Sequence, residues 1–405
     1  MRPAVSFVMI TVMIDSMGIG LMIPVMPDLI REVNGGDLSQ AALWGGLLAT
    51  IFAVMQFLFG PVLGGLSDRF GRRPVLLTSL AVMAADYVVM ALAGSIWLLL
   101  LGRIVGGITA ATHSTASAFM ADISAPEERS KNFGLIGAGF GVGFLLGPTM
   151  GGLLAEYGTR APFWAAAVLA FGNFVLGWLV LKETLRPEHS RPFNWRRANP
   201  FGAIKQMGKL PGARPLLVVY FLYSVAFAVY PSVWSYFGQE RFGWQPSVIG
   251  LSLALFGGAM VVVQGGLIRL ALNRLGERGT VIAGHLFAIG TYAAIAVIPS
   301  GMFTLALTPV AAVAGVIPPA LTGIMSRQVA DNAQGELQGV LTSANALAMI
   351  LSPLAMTATF AQFTRNGTPF YLPGAPFLLA GGLMVVALGV FMFRLRTLDV
   401  ASPAS

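Results

Sequence analysis

The most constraining feature of this sequence is a series of twelve apolar runs, each long enough to cross a lipid bilayer. The hydrocarbon core of a bilayer is about 30 Å thick, and an α-helix of about 20 apolar residues spans it. Backbone groups inside the bilayer must be satisfied within the protein, so each run is expected to be helical. The runs lie near residues 5–26, 42–64, 74–94, 97–120, 133–155, 161–181, 215–237, 246–271, 280–298, 302–325, 336–360 and 374–393. They predict an all-α integral membrane protein with twelve transmembrane helices in two six-helix bundles.

The composition excludes several classes of protein. Charged residues make up 10% of the chain, whereas soluble domains carry about 25%. The chain has no cysteine, which excludes disulfides, thiol catalysis and thiolate metal sites. Three histidines without clustered carboxylates predict no protein metal site. No P-loop is present, so ATP is not expected to supply the energy.

The distribution of positive charge predicts the orientation in the membrane. If both termini are cytoplasmic, most of the 25 Lys and Arg residues fall in inner segments, as the positive-inside rule requires. The net charge of +8 is then explained without a nucleic-acid partner. The first run contains Asp15 and lacks a small-residue cleavage site, so we expect it to be a retained helix rather than a signal peptide.

The chain is expected to divide into two halves. We predict an N-terminal six-helix bundle over 1–181, a cytoplasmic linker over 182–214 and a C-terminal six-helix bundle over 215–405. Within the polar, basic linker, residues 201–209 are expected to form a short surface helix.

An internal repeat relates the two halves. A shift of 205 residues places 68–73 on 273–278 and 147–148 on 352–353. Two separate matches at one offset indicate repeated bundles, an architecture in which transporters hold their substrate between the halves.

The loop 65–74 reads Gly-Leu-Ser-Asp-Arg-Phe-Gly-Arg-Arg-Pro and joins two apolar runs with a tight cationic turn. Asp68 is suited to capping a helix or pairing with an arginine. Arg69, Arg72 and Arg73 suit an anionic cytoplasmic membrane face. On composition alone, this loop serves only to orient the chain in the membrane; its ordered pattern favours a more specific role.

Three ionisable residues lie inside the apolar runs, where charge is costly and usually functional. Asp15 is placed to take up and release protons; the alternative is a neutral, hydrogen-bonded structural residue. Asp86 is expected either to face a central cavity or to make an interhelical hydrogen bond. Arg103 needs an acceptor, for which Asp15 or a backbone carbonyl is expected, and a static ion pair remains the alternative. The repeat shift places these positions on Tyr220, Thr291 and Thr308.

Several of these segments resemble the major facilitator superfamily, and within it the tetracycline/proton antiporters of the drug/proton antiporter group. The loop 65–74 resembles the superfamily's signature loop. Gly102–Thr109 is similar to its helix 4 motif, and Gly139–Gly152 to the helix 5 motif of its antiporters. Further similarity to the tetracycline antiporters lies in Asp15–Pro27, Asp86–Tyr87 and Met325–Val329.

The resemblance implies roles for particular residues. Asp15, Asp86 and Arg103 are expected to couple transport to protons, and Asp15 and Asp86 also to line the substrate site. The cytoplasmic gate is expected to consist of Asp68, Arg69, Arg72, Arg73 and Asp122. The helix 5 run is expected to form a seam that seals and reopens, made by Gly139, Gly143, Gly147, Pro148 and Gly151. Its small residues recur every four positions, which places them on one helix face.

The C-terminal half departs from the tetracycline antiporters. Gln264 matches a position that lines their drug site, and His285 is a further candidate for that lining. Gly284 stands where those antiporters carry an aspartate in helix 9, and Met260 near their helix 8 histidine. His285 is a possible substitute for the missing charge. His113 either titrates near neutral pH or, as is more common for a lone histidine, is a packing residue.

The sequence therefore predicts a proton-coupled antiporter that exports an amphipathic, tetracycline-like compound by alternating access. The alternatives are an exporter of other drugs or metabolites, a proton symporter, and a membrane enzyme or sensor. We expect a monomer in the bacterial inner membrane with both termini cytoplasmic. Its partners are expected to be protons, lipid and a small-molecule substrate. No cofactor is expected, although a tetracycline-like substrate would bring its own divalent cation.

Overall fold

The computed structural model describes residues 3–110, 112–185, 193, 199, 202, 214–330 and 333–401. Every regular element among these residues is a helix. Most of the predicted linker 182–214, and the surface helix expected at 201–209 apart from Gly202, lie outside the described residues.

The described residues of the first half contain eight α-helices: α1 (Pro3–Met22), α2 (Met26–Asn34), α3 (Leu38–Phe70), α4 (Arg72–Leu92), α5 (Ile96–Thr109), α6 (Thr112–Ile123), α7 (Arg129–Leu154) and α8 (Ala161–Val180). Short 3₁₀ turns precede and follow α7, at Pro126–Glu128 and Ala155–Tyr157. The Asp37 side chain caps α3 by accepting a hydrogen bond from the Gln40 amide. Buried apolar side chains of α1, α4, α6 and α7 form a common core that includes Val8, Leu80, Phe119 and Ile136.

Eight more α-helices lie in the part of the second half that the structure describes: α9 (Arg214–Phe227), α10 (Val229–Phe242), α11 (Pro246–Val262), α12 (Ile268–Val297), α13 (Gly301–Ala311), α14 (Ile317–Ser326), α15 (Gln334–Thr364) and α16 (Ala375–Ala401). A π-helical segment, Val263–Leu267, joins α11 to α12, and a 3₁₀ segment, Ala312–Val316, joins α13 to α14.

Among the described residues, eleven helical stretches are long and apolar enough to cross a membrane. One of them, Pro246–Val297, has 52 residues and contains two of the predicted runs. Gly276 breaks its helical path with φ 65° and ψ 179°, a conformation that a side chain would disfavour. The twelve predicted runs are therefore all present as helices.

Two predicted runs differ in detail from the helices. The first ends at Met22 rather than near residue 26, because a turn containing Pro24 separates α1 from α2. The run 97–120 is interrupted at Ala110 between α5 and α6. Hydropathy is continuous across both breaks, so composition alone does not reveal them.

The chain clusters into two compact units. The first contains Met1–Pro200 and Trp244–Ala254; the second contains Phe201–Gly243 and Leu255–Ser405. The start of α11 thus groups with the first unit, although the sequence assigned it to the C-terminal bundle. The predicted bundle limits at 181 and 215 remain predictions.

Candidate functional site

The first unit contains a cavity of about 150 Å³ whose wall is built by α1, α3, α4, α5 and α6. Three of the lining residues are the intramembrane charged groups Asp15, Asp86 and Arg103. Its other polar lining residues are Gln56, Ser79, Tyr87, Thr109, Thr112 and His113. The structure therefore brings the three predicted coupling residues into one space.

Asp86 and Arg103 form a buried ion pair, with relative exposures of 6% and 8%. This corrects the expectation that Arg103 pairs with Asp15 or a backbone carbonyl. The reason is helix adjacency: α4 packs directly on α5, whereas α1 packs on α6, α7 and α8. The Arg103 guanidinium also lies 5.2 Å from the centre of the Phe52 ring, a cation–π contact.

Two glycines of α5 make room for the Asp86 carboxylate. A Cβ at Gly102 would lie 2.6 Å from Asp86 Oδ1, and one at Gly106 would lie 2.9 Å from Oδ2. Asp86 Oδ1 is buried and has no hydrogen-bond partner among the described residues. Larger residues at these glycines would displace the carboxylate from Arg103.

Asp15 is half-buried at the cavity wall, and the Thr112 side chain is its hydrogen-bond partner. Thr112 is the first residue of α6, directly after the interruption of the run 97–120. Among the described residues Asp15 has no ion-pair partner. Its carboxylate therefore differs from that of Asp86, whose charge is compensated.

The glycine seam of α7 packs on the helix that carries Asp15. A Cβ added at any of the four seam glycines would lie within 2.7 Å of a backbone carbonyl oxygen of α1. The facing pairs are Gly139 and Met9, Gly143 and Met13, Gly147 and Met17, and Gly151 and Leu21. The Ser16 hydroxyl donates a hydrogen bond across this contact to Phe140 O at 3.0 Å. Backbone thus meets backbone along most of α1, as small-residue spacing in membrane helices permits.

A second face of α7 packs on the start of α11 within the first unit. A Cβ at Gly152 would lie 2.5 Å from Pro246 O, and one at Gly250 would lie 2.3 Å from Pro148 O. This close approach explains why Trp244–Ala254 clusters with the first unit.

The predicted gate residues of loop 65–74 meet around Arg72, whose side chain is 12% exposed. Its Nη1 lies 2.5 Å from Asp68 Oδ1, and its Nε lies 3.1 Å from Asp122 Oδ2. Gly71, with φ 111°, provides the sharp turn between α3 and α4 that brings these groups together.

Arg73 and Arg69 play a different part in this loop. Arg73 donates to Trp178 O at 2.9 Å and lies over the Trp178 ring, which ties α4 to α8. Arg69 lies over the ring of its neighbour Phe70. The side-chain contacts of Arg73 thus lead to α8 rather than to Asp68 and Asp122.

Sequence reasoning missed Glu183, which follows α8. Its carboxylate accepts hydrogen bonds from the backbone amides of Arg72 at 2.9 Å and Arg73 at 3.1 Å. A carboxylate at this position satisfies free amides at the start of α4 and complements the helix dipole. The neighbouring Thr184 hydroxyl donates to Asp122 at 3.3 Å. The only sequence signal was an acidic residue next to the end of the sixth apolar run.

The second unit has its own cavity, of about 200 Å³. Its lining is aromatic, thioether and amide in character and consists of Tyr220, Tyr223, Ser224, Phe227, Met260, Gln264, Gly315, Pro318, Asn345 and Met349. None of these side chains carries a charge. The Gln264 amide lies 3.5 Å from Gly315 O, where the π-helical and 3₁₀ segments meet. Such departures from α geometry are frequent at functional sites.

Gly284 and His285 lie away from both cavities. A Cβ at Gly284 would lie 2.6 Å from Ile317 Cγ1, which leaves no room there for a carboxylate. His285 is fully buried, and its Nδ1 lies 2.8 Å from Val281 O. The structure thus lends no support to His285 as a lining residue, whereas Gln264 and Met260 do line the second cavity.

The second unit also contains an ion pair, between Glu277 and Arg327. It borders an open surface pocket next to Gly276, and Gly323 packs against the Glu277 carboxylate. This pair lies at the positions that the repeat relates to Arg72 and Asp122.

Comparison with known proteins agrees with this fold. The model of the Major Facilitator Superfamily matches residues 8–353. The chain is 42% identical to the class C tetracycline resistance protein of Escherichia coli, covering 87% of this chain and 88% of that protein. It is 30% identical to multidrug resistance protein 2 of Bacillus subtilis (strain 168), covering 83% and 84%.

A solved structure, that of the nucleoside transporter NupG, shares the fold with a TM-score of 0.80 over 98% of this chain and all of that one, at 12% identity. The helices, the intramembrane charges and these similarities identify a multi-pass membrane transporter rather than an enzyme. The chain belongs to the major facilitator superfamily.

Proposed function

We propose that this protein is a proton-coupled antiporter that exports a tetracycline-like compound from the cell by alternating access. The observation that carries the proposal is Asp15, a carboxylate that faces the first cavity without a cationic partner among the described residues. A carboxylate held inside a membrane helix is costly unless it is protonated or paired. Reversible protonation of Asp15 supplies the coupling.

Each part of the site has a role in this proposal. The Asp86–Arg103 ion pair forms part of the cavity wall. Because these two charges compensate each other, the pair leaves Asp15 without a cationic partner among the described residues. The network of Asp68, Arg72 and Asp122 closes the cytoplasmic side, and the α7 seam allows helices to close and separate. The uncharged second cavity, with Gln264 in its wall, binds the ring system of the substrate. The similarity to tetracycline resistance proteins supports this substrate class.

The setting that we propose is the inner membrane of a bacterium, with both termini in the cytoplasm and the protein acting as a monomer. Protons are the coupling ion. A divalent cation enters as part of the substrate if that substrate is tetracycline-like.

The test is substrate uptake by inverted membrane vesicles driven by a proton gradient. We expect Asp15→Asn to abolish accumulation, because asparagine cannot bind the coupling proton. One proton moving down 100 mV supplies about 2.3 kcal/mol, which supports a substrate gradient of about fifty-fold. Asp28→Asn, which changes an acid of α2 that does not line the cavity, serves as the matched control. Accumulation at the wild-type level in Asp15→Asn would exclude Asp15 as the coupling residue.

A second candidate is an exporter of other drugs or metabolites that does not carry tetracycline. Gly284 and Met260 favour it, because they depart from the tetracycline antiporters and Ile317 fills the space beside Gly284. A susceptibility panel in an efflux-deficient host separates the two. Resistance to another compound with unchanged tetracycline susceptibility would establish this alternative.

A further inference from the structure

His113 lines the same cavity as Asp15 and is exposed there, rather than being buried as a packing residue. It is the second residue of α6 and directly follows Thr112, the hydrogen-bond partner of Asp15. Phe140 of α7 contacts its ring edge to face, with centroids 6.2 Å apart and planes at 89°. This contact fixes the ring at the cavity wall.

Of the two carboxylates that line the cavity with His113, Asp86 has a cationic partner and Asp15 has none among the described residues. Asp86 of α4 is paired with Arg103 of α5, so that neither is free to balance Asp15 of α1. Tyr87 of α4 also lines the cavity, with its hydroxyl against Gly18. Thr112 offers Asp15 a hydrogen bond but no charge.

The remaining helices that pack on α6 bring no other charged group to this cavity. Of the lining residues, α3 contributes Gln56 and Phe52, and α7 contacts His113 through Phe140. The other charges of these helices lie at helix ends: in loop 65–74, at Asp122, and at Arg129 and Lys131 where α7 begins. His113 is therefore the one group among the cavity-lining residues that becomes positively charged by binding a proton, because Arg103 keeps its charge.

We propose that His113 carries a second proton in the transport cycle. It binds this proton at a ring nitrogen when the cavity opens to the proton-rich side, and the N–H bond breaks again when the cavity opens to the cytoplasm. When Asp15 has released its own proton and His113 has not, the imidazolium balances the Asp15 carboxylate inside the membrane, which lowers the cost of an unpaired charge there. This inference rests on the proposed proton antiport.

The experiment measures the number of protons exchanged per substrate by the purified full-length protein in liposomes. A fixed substrate gradient is imposed, and the pH difference at which net substrate flux stops is measured. At that point the free energy of the exchanged protons equals that of the substrate gradient, which gives the number of protons per substrate. We expect His113→Gln to exchange one proton fewer than the wild type. At 100 mV, the steepest substrate gradient then falls by about fifty-fold. His189→Gln, which removes a histidine between the sixth and seventh apolar runs, is expected to leave the ratio unchanged.

Counterflow, the exchange of labelled for unlabelled substrate without a proton gradient, controls for folding and binding. His113→Gln and a second variant, His113→Asn, are expected to retain it. An unchanged proton ratio in either active variant would overturn the role of His113 alone. Loss of counterflow in both would show that His113 is needed for folding or binding and would also overturn it. Absence of proton-driven flux in the wild type would instead overturn the proposed function, and this inference with it.

Discussion

The two cavities occupy corresponding places in the two units, and they differ in charge. The shift of 205 residues relates lining residues of the first cavity to lining residues of the second. The pairs are Asp15 and Tyr220, Ile19 and Ser224, Met22 and Phe227, Ala110 and Gly315, and His113 and Pro318. The repeat therefore preserves a cavity while the chemistry of its wall changes. Proton coupling requires charge, and binding of a ring system requires aromatic and amide groups, so the two units suit different tasks.

Loop 65–74 and its counterpart around Gly276 in the second unit also share a backbone feature and differ in charge. Gly71 and Gly276 are related by the repeat, and both have positive φ at a helix junction. The pair Arg72–Asp122 corresponds to Glu277–Arg327, with the two signs exchanged. Asp68 corresponds to Asn273, and Glu183 to Leu388. An ion pair therefore occurs at this position in both units, with the positive and negative residues exchanged. The first unit has two further carboxylates beside the pair, those of Asp68 and Glu183.

The largest effect is expected from reversing the charge at Arg72. Arg72→Glu would place three carboxylates together, because Asp68 and Asp122 remain. Like charges in contact cost several kcal/mol. We therefore expect transport to fall by more than about tenfold, as measured by vesicle uptake.

The charges of the second unit provide the matched rescue. A triple variant, Asp68→Asn with Arg72→Glu and Asp122→Arg, reproduces Asn273, Glu277 and Arg327 in the first unit. We expect it to recover most of the lost transport. If the triple variant is as inactive as Arg72→Glu, the sign of the charge matters and the two loops are not equivalent.

A smaller effect is expected at Tyr220, the counterpart of Asp15. Tyr220→Phe removes one hydroxyl from the second cavity, and a single hydrogen bond contributes about 0.5–1.5 kcal/mol. We expect the apparent affinity for substrate to weaken by several-fold while the number of protons per substrate stays the same. The control is Tyr157→Phe at an exposed tyrosine. A change in the proton ratio would contradict the division of tasks between the units.

The smallest effect is expected at Glu183, which has no acidic counterpart in the second unit. Glu183→Gln weakens the capping of α4, a change that typically costs about 1 kcal/mol. We expect a melting temperature in detergent that is lower by a few degrees at most, and Glu156→Gln should have no effect. A larger loss would show that Glu183 does more than cap the helix.

Hydropathy and the single 205-residue offset were sufficient to predict the membrane helices, the internal repeat and the three charged residues inside the apolar runs, but not the rest of the first cavity's lining. They were not sufficient to predict contacts between distant helices. The partner of Arg103 was assigned wrongly because helix adjacency is not encoded in apolar runs. Glu183 was missed because its amide partners lie more than a hundred positions away in the chain. The breaks at residues 23–25 and at Ala110 were missed because hydropathy does not record backbone angles.

The glycine contacts of α7 have a consequence for the speed of helix movement. Where two helices meet through long side chains, each separation releases rotamers that must be ordered again on return, at about 0.5–1 kcal/mol for a leucine. Gly139, Gly143, Gly147 and Gly151 have no rotamers to release or recover. If this seam opens and closes during transport, as we propose, it closes without reordering side chains and so adds little entropic barrier to each cycle.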